Sequence, residues 1–376
     1  MDKLKEKIKN EIKRIFKEEK ESGRFSILSP DSNSDVDLLL QILMSEFLIQ
    51  KVKKENFRES DQEIEKRKAD FVFIAAPTGA GKDTLVRKVI HDNPDKKYVV
   101  LNMDMFRSYY GYFFEYLLEN WPNGLTDKTF ATQTNGFSYE IYYTMQRLLL
   151  ENFPGTNIII TGTIRETDWV EETFRVFKST PYTEYTNKLF ALAVPKKICE
   201  ISVIQRYLAS ISLDKPGTAR YVSVDYYNDT IENYINNFAY FESILNSARG
   251  IIDTVEVYKR SNGINDYNED TLLYTSDVTR RKSHDIQMTA SQIVAEIVNH
   301  DVDIGPLKIA DLVDTVELMR NYLIEQGLYR EILCALQALN RRECTSKQTR
   351  EPNTTVDKNK SEDGNGNGQK YPGSDD

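Results

Sequence analysis

Hydrophobic positions along the chain change their period near residue 70. Before it they recur every three or four residues. Leu4, Ile8, Ile12, Ile15 and Phe16 share one face of a helix over residues 1–21, with lysine and glutamate elsewhere. The turn-rich stretch ESGRFSILSPDSNSD separates it from a second helix, DVDLLLQILMSEFLIQKVKK, apolar on most faces and capped by Ser34 or Asp35. From Phe71 short apolar runs alternate with helical periods. FVFIAA, KKYVVLNMD, TNIIITGT, KLFALAV and IIDTVEVYKR read as strands covered on both faces, the last of them closing the set. Helical patterns occupy 82–92, 105–120, 137–152, 169–179, 196–211 and 222–248. This alternation predicts an α/β fold, a doubly wound parallel sheet. Residues 288–340 carry two further amphipathic pieces. The tail from Thr345 has a single valine as its aliphatic core former, the composition of a disordered segment. The expected units are an N-terminal helical segment at 1–69, a sheet domain at 70–275, a C-terminal helical segment at 276–344 and a tail at 345–376.

Composition narrows the classes. Hydrophobic residues at 40% supply a core for most of the chain, and 22 tyrosines suit a half-buried wall for a sugar or a base as well as a core. A net charge of −9 opposes a general nucleic-acid binder, which needs a basic field. Cys199, Cys334 and Cys344 have no paired spacing and the three histidines are scattered, so neither a disulfide framework nor a metal cluster is expected. The charged N-terminus lacks the apolar core of a signal peptide, and the longest apolar run is too short to span a bilayer. The expectation is a cytoplasmic protein with no membrane and no nucleic-acid partner.

The chemistry concentrates in FVFIAAPTGAGKDTLVRKVI, Phe71 to Ile90, which nearly spells the phosphate-loop pattern G-x-x-x-x-G-K-[ST]. Ala76 stands for the first glycine and Asp83 for the closing hydroxyl, with Thr84 one residue late. Such a loop needs small residues because backbone N–H groups must converge on phosphate oxygens. Gly79 and Gly81 meet that need, and Lys82 brings a positive charge. Ala76 occupies the strand exit, furthest from the phosphates, where a methyl is tolerated at negative φ. Ala76, Pro77, Thr78, Gly79, Ala80, Gly81, Lys82, Asp83 and Thr84 are therefore the expected nucleotide-binding residues; the plain alternative is a glycine turn between strand and helix. Asp104 follows the second strand, on the sheet edge that faces the ligand crevice in such folds. It can take a proton from an acceptor hydroxyl, or serve as the N-cap of the helix after it.

Further motifs follow in order: D-x-F-R after the second strand, GTIR after the third, LAVP with QRY, and then GTAR. Together with the phosphate loop, this series over roughly 70–265 resembles the zeta-toxin family of bacterial toxin–antitoxin systems. The resemblance implies a P-loop kinase that uses ATP and Mg²⁺ to phosphorylate the sugar 3′-hydroxyl of UDP-N-acetylglucosamine. It implies that Lys82 binds the transferring phosphate and that Asp104 is the base. Thr163 would contact the sugar nucleotide, and Arg206 and Arg220 would neutralise charge on the phosphoryl oxygens. Arg107 and Arg165 fall at family-like positions, where they bind substrate or anchor loops. Glu140 matches an acidic substrate contact on the helix before the third strand. Tyr109, Tyr110 and Tyr112 wall the sugar pocket or pack.

Two positions depart from the family pattern, which reads E-G-T where this chain reads Thr161-Gly162-Thr163. The strand acid and the loop hydroxyl, both metal-shell positions, have changed together. Either the two ligand types have been exchanged, with Asp83 supplying the acid and Thr161 or Thr84 the hydroxyl, or the site has degenerated into a nucleotide-binding one. The family also implies a helical antitoxin partner. Residues before 70 have no counterpart in it; they form a scaffold bundle, or a cis-inhibitory segment that reaches the pocket through Phe16 or the Lys13–Lys17 edge.

Overall fold

The computed structural model describes residues 67–102, 142–143, 146–147, 149–151, 153–181, 183–212, 221–245, 250–260, 272–276, 288–302 and 304–348. The expected N-terminal helices, the 105–120 helix, Asp104, Arg107, Tyr109, Tyr110, Tyr112, Glu140 and Arg220 lie outside the described residues.

Among the described residues six strands form one sheet: β1 (Arg67–Ala75), β2 (Tyr98–Asn102), β3 (Asn157–Gly162), β4 (Thr183–Ala193), β5 (Thr254–Lys259) and β6 (Leu272–Thr275). Their spatial order is β2-β3-β1-β4-β5-β6. The first five are parallel and β6 runs antiparallel at the edge. The central strand β1 explains its unbroken apolar spelling, since Phe71, Phe73, Ile74 and Ala75 have no exposed surface.

The helices with described bounds are α1 (Lys82–Asp92), α2 (Thr167–Lys178), α3 (Lys196–Ser212), α4 (Val224–Leu245), α5 (Ala290–Asn299), α6 (Pro306–Leu318), α7 (Arg320–Glu325) and α8 (Tyr329–Gln348). The step from β1 to β2 crosses the sheet in one direction and the step from β3 to β4 in the other. Right-handed crossovers therefore place α1 and α2 on opposite faces, the doubly wound arrangement. On the α2 face Phe71 stacks on Phe177 with centroids 3.8 Å apart and meets Phe174 edge-on at 5.2 Å. Phe241 of α4 joins them 6.4 Å from Phe174.

Four boundaries differ from the sequence expectation. β1 begins at Arg67 rather than Phe71, and the Arg67 stem packs over Gly155 while its guanidinium donates to the Pro154 carbonyl at 3.3 Å. β4 begins at Thr183, because Thr183, Tyr185 and Asn187 alternate inward before the continuous apolar run starts. IIDTVEVYKR does not close the sheet: β6 pairs beyond it, too short to carry a period of its own. The C-terminal region forms four helices rather than two, and α8 continues past Thr345 to Gln348.

The C-terminal helices build a second core. Ile309, Leu312 and Val316 of α6, Leu323 of α7, and Ile332, Leu336 and Leu339 of α8 pack against Ile201, Ile204, Tyr207 and Leu208 of α3. The opposite stripe of α3, Cys199 and Val203, belongs to the main core. One helix is thus shared between two cores, and it is the helix that meets the phosphate loop.

Candidate functional site

β1 ends at Ala75 and the chain turns sharply into α1. Ala76 has no exposed surface, and its N–H donates to the Gly162 carbonyl at 3.2 Å, which ties the loop entrance to the end of β3. The methyl in place of the usual glycine is absorbed by the core. Pro77 is buried, and its carbonyl accepts from the Ala80 N–H at 3.3 Å. Gly79 and Gly81 adopt left-handed backbone at φ 82° and 89°. A Cβ at Gly79 would lie 2.3 Å from the Cys199 carbonyl oxygen and 2.9 Å from Val203 Cγ2, so α3 presses directly on the loop. Gly81 is the N-cap of α1, and its carbonyl accepts from the Thr84 N–H at 3.0 Å. The result is a concave run of backbone N–H groups at a helix N-terminus, which favours an anion. Half-buried Lys82 opens the helix, Thr78 is half-buried in the loop, and Asp83 is exposed on the first turn.

Around this loop the carboxyl ends of β1, β2, β3 and β4 form one rim. Ile74 of β1 is level with Thr161 of β3, which is level with Asn102 of β2, two residues before Asp104. On α3 the spacing 199–203–206 places Arg206 on the stripe that carries Cys199 and Val203, one turn beyond their contacts with the loop. Its side chain is exposed. Lys82 and Arg206 thus share this side of the molecule. Tyr221, next in sequence to Arg220, is buried against Tyr207 with ring centroids 5.4 Å apart.

Thr163 follows β3 and is half-buried. Asn237 of α4 donates to the carbonyls of Ile164 at 2.7 Å and Arg165 at 2.8 Å. The Arg165 side chain pairs with Asp229 at 2.8 Å and lies over the Tyr226 ring at 5.0 Å. Those contacts correspond to the loop-anchoring alternative for Arg165. Tyr234 of α4 reaches the carbonyls of Ala75 at 3.4 Å and Leu192 at 3.3 Å, bracing the same rim from below.

Cys199 is a potential nucleophile against the loop. Burial pushes its thiol up to about 12, against a smaller opposing pull from Arg260 and Lys82, so it stays protonated and serves as packing. Arg260, just after β5, was missed by sequence reasoning. Its Cζ and Nε lie 3.9 Å from the position a Gly81 Cβ would occupy. The same edge-of-sheet rule that singled out Asp104 would have found it.

The residues present fit a magnesium ion of the kind that accompanies nucleotide phosphates. Thr161 Oγ1 is buried at the end of β3 with no hydrogen-bond partner, a state that costs about 1–3 kcal/mol unless a ligand satisfies it. Asp83 supplies an exposed carboxylate and Thr84 a hydroxyl at the start of α1. Among the described residues no group of three or more acidic, histidine or cysteine side chains could hold a metal alone. Mg²⁺ beside nucleotide phosphates takes one or two protein oxygens and completes its shell with phosphate and water, and Thr161, Asp83 and Thr84 are oxygen donors of that kind.

A family model described as Zeta toxin matches residues 54–272. Comparison with curated proteins gives no match. Among solved structures, one from the PezAT chromosomal toxin–antitoxin system of Streptococcus pneumoniae is 18% identical. It covers 78% of this chain and 98% of that one with a TM-score of 0.51. A second, the AvrRxo1-ORF1:-ORF2 complex, is 12% identical and covers 72% of this chain and 76% of that one, with a TM-score of 0.42. At such identities the likeness to the first is one of fold. No described helix is long and apolar enough to cross a membrane.

Proposed function

The chain belongs to the zeta-toxin family, and from that premise we propose that it transfers the γ-phosphoryl group of ATP to the sugar 3′-hydroxyl of UDP-N-acetylglucosamine. The observation that carries this reading is the left-handed Gly79–Gly81 turn, closed by α3 and followed by Lys82. Phosphoryl transfer asks for positioning and charge neutralisation more than for covalent help. The loop N–H groups and Lys82 hold the β- and γ-phosphates. Asp104 accepts the proton of the attacking hydroxyl as the new O–P bond forms, and ADP departs with the electrons of the broken bond. Arg206 and Arg220 balance the charge on the equatorial oxygens. Thr163, Arg107, Glu140 and Arg165 would contact the acceptor in this proposal. Bound magnesium would neutralise phosphate charge, and Asp83 with Thr161 or Thr84 are the residues that would hold it, the exchanged pair of ligand types. The unsatisfied Thr161 hydroxyl supports that exchange.

The catalytic unit in this proposal is residues 70–275, working in the cytoplasm and restrained by a helical antitoxin. The test is a magnesium-dependent assay with labelled ATP and UDP-N-acetylglucosamine, run beside nucleosides, other nucleotide sugars and antibiotics as acceptors. Lys82→Ala and Asp104→Ala are expected to lower turnover by at least about a hundredfold without loss of fold. Asp83→Ala is expected to raise the magnesium requirement and lower turnover. Transfer to a different acceptor would correct the substrate alone. ATP binding without transfer to any acceptor would mark a nucleotide-binding protein that works through partners.

A further inference from the structure

We infer that Arg260 is a second cationic ligand of the nucleotide's phosphates beside Lys82, acting from the residue that follows β5; the inference rests on the kinase reading above. Arg260 is exposed at the carboxyl edge of the sheet, one residue past Lys259. Its guanidinium lies over the left-handed Gly81 turn, with Cζ and Nε both 3.9 Å from the position of a Gly81 Cβ. One arm is held by α3, where Nη1 donates to Ser202 Oγ at 3.3 Å. Among the described residues no carboxylate pairs with it.

The local electrostatics make that placement informative. The N-terminus of α1, the Lys82 ammonium and the Arg260 guanidinium are all positive and border one turn of backbone. Positive groups placed around one turn of backbone favour a polyanion between them. A guanidinium offers its remaining N–H donors in a planar fork that matches a phosphate, and the neutral Ser202 anchor orients it without cancelling its charge. The ligand class is therefore a nucleoside triphosphate, gripped from two sides.

The test is direct ATP binding by calorimetry on the full-length protein, which needs no knowledge of the acceptor. Arg260→Ala is expected to weaken ATP binding about tenfold to a hundredfold, the loss of a charge-assisted hydrogen bond to phosphate. Arg260→Lys recovers part of it, because charge returns without the fork. The ligand-free variants should unfold at the wild-type temperature, since the side chain is exposed. Wild-type-like ATP binding by Arg260→Ala, alongside lost binding by Lys82→Ala, overturns the role of Arg260 and leaves the kinase reading standing. Absence of ATP binding by the wild type overturns both.

Discussion

Asp70 is 6% exposed near the amino end of β1, on the edge opposite the phosphate loop. Lys96 lies 2.5 Å away and Lys188 3.0 Å away, and the Tyr98 hydroxyl donates to it at 3.1 Å. Burial alone would raise its carboxyl; the two lysines outweigh that and hold it below the ordinary 3.8. A carboxyl with a depressed folded-state value stabilises above its unfolded value, and that contribution is lost as pH falls through the folded-state value. Asp70→Asn is expected to cost about 1–3 kcal/mol at neutral pH, discounted because both lysines are partly wet. Urea titrations should show wild type and variant converging below about pH 4. A constant gap across pH would show that the loss is packing rather than charge. At the loop, by contrast, Lys82 and Arg260 border the left-handed Gly81 turn, whereas Asp70 gathers cations and neutralises them.

Among the elements, α3 links stability to chemistry. Its inner stripe seats the phosphate loop and carries Arg206, while its outer stripe is buried by α6, α7 and α8. Tyr221 packs into the same outer core, beside Tyr207. The residues adjacent in sequence to Arg206 and Arg220, Tyr207 and Tyr221, therefore share one core with α6, α7 and α8. Leu336→Ala, at a site with no exposed surface, is expected to cost about 2–5 kcal/mol. Hydrogen exchange followed by mass spectrometry should show α3 amides losing protection before those of β1. Equal loss across both elements would make the two cores one cooperative unit. The helix pattern at 288–340 was legible in the sequence, but its partner was not. Nothing in a periodicity says which surface an apolar stripe will cover.

For the whole molecule, the family match spans 54–272 and leaves both ends outside it. The C-terminal end has a place in the structure, on α3. The segment before residue 70 was expected to have no counterpart in the family, but the match reaches back to residue 54 and narrows that part to 1–53; for it, a scaffold bundle and an inhibitor in cis differ in one measurable outcome. Deleting them is expected to leave ATP turnover per folded molecule unchanged, as for a scaffold; a rise would reveal inhibition. The α/β class and five parallel strands were readable because strands buried on both faces must be spelled with continuous apolar runs. The starts of β1 and β4 were not, because Arg67, Lys68 and the alternating Thr183–Asn187 become strand by pairing with neighbours distant in sequence.

What the sequence determined by itself was local: the glycine turn, the lysine after it, and the runs that must be buried. Their chemistry follows from residue type and spacing within a few turns of chain. Only the tertiary structure decided that the carbonyl of Cys199 closes the loop, that Arg165 pairs with Asp229, and that Arg260 arrives over Gly81 from 179 positions along the chain. Such meetings depend on strand order and crossover hand, which bring distant residues to one edge of the sheet and leave no mark on the local spelling.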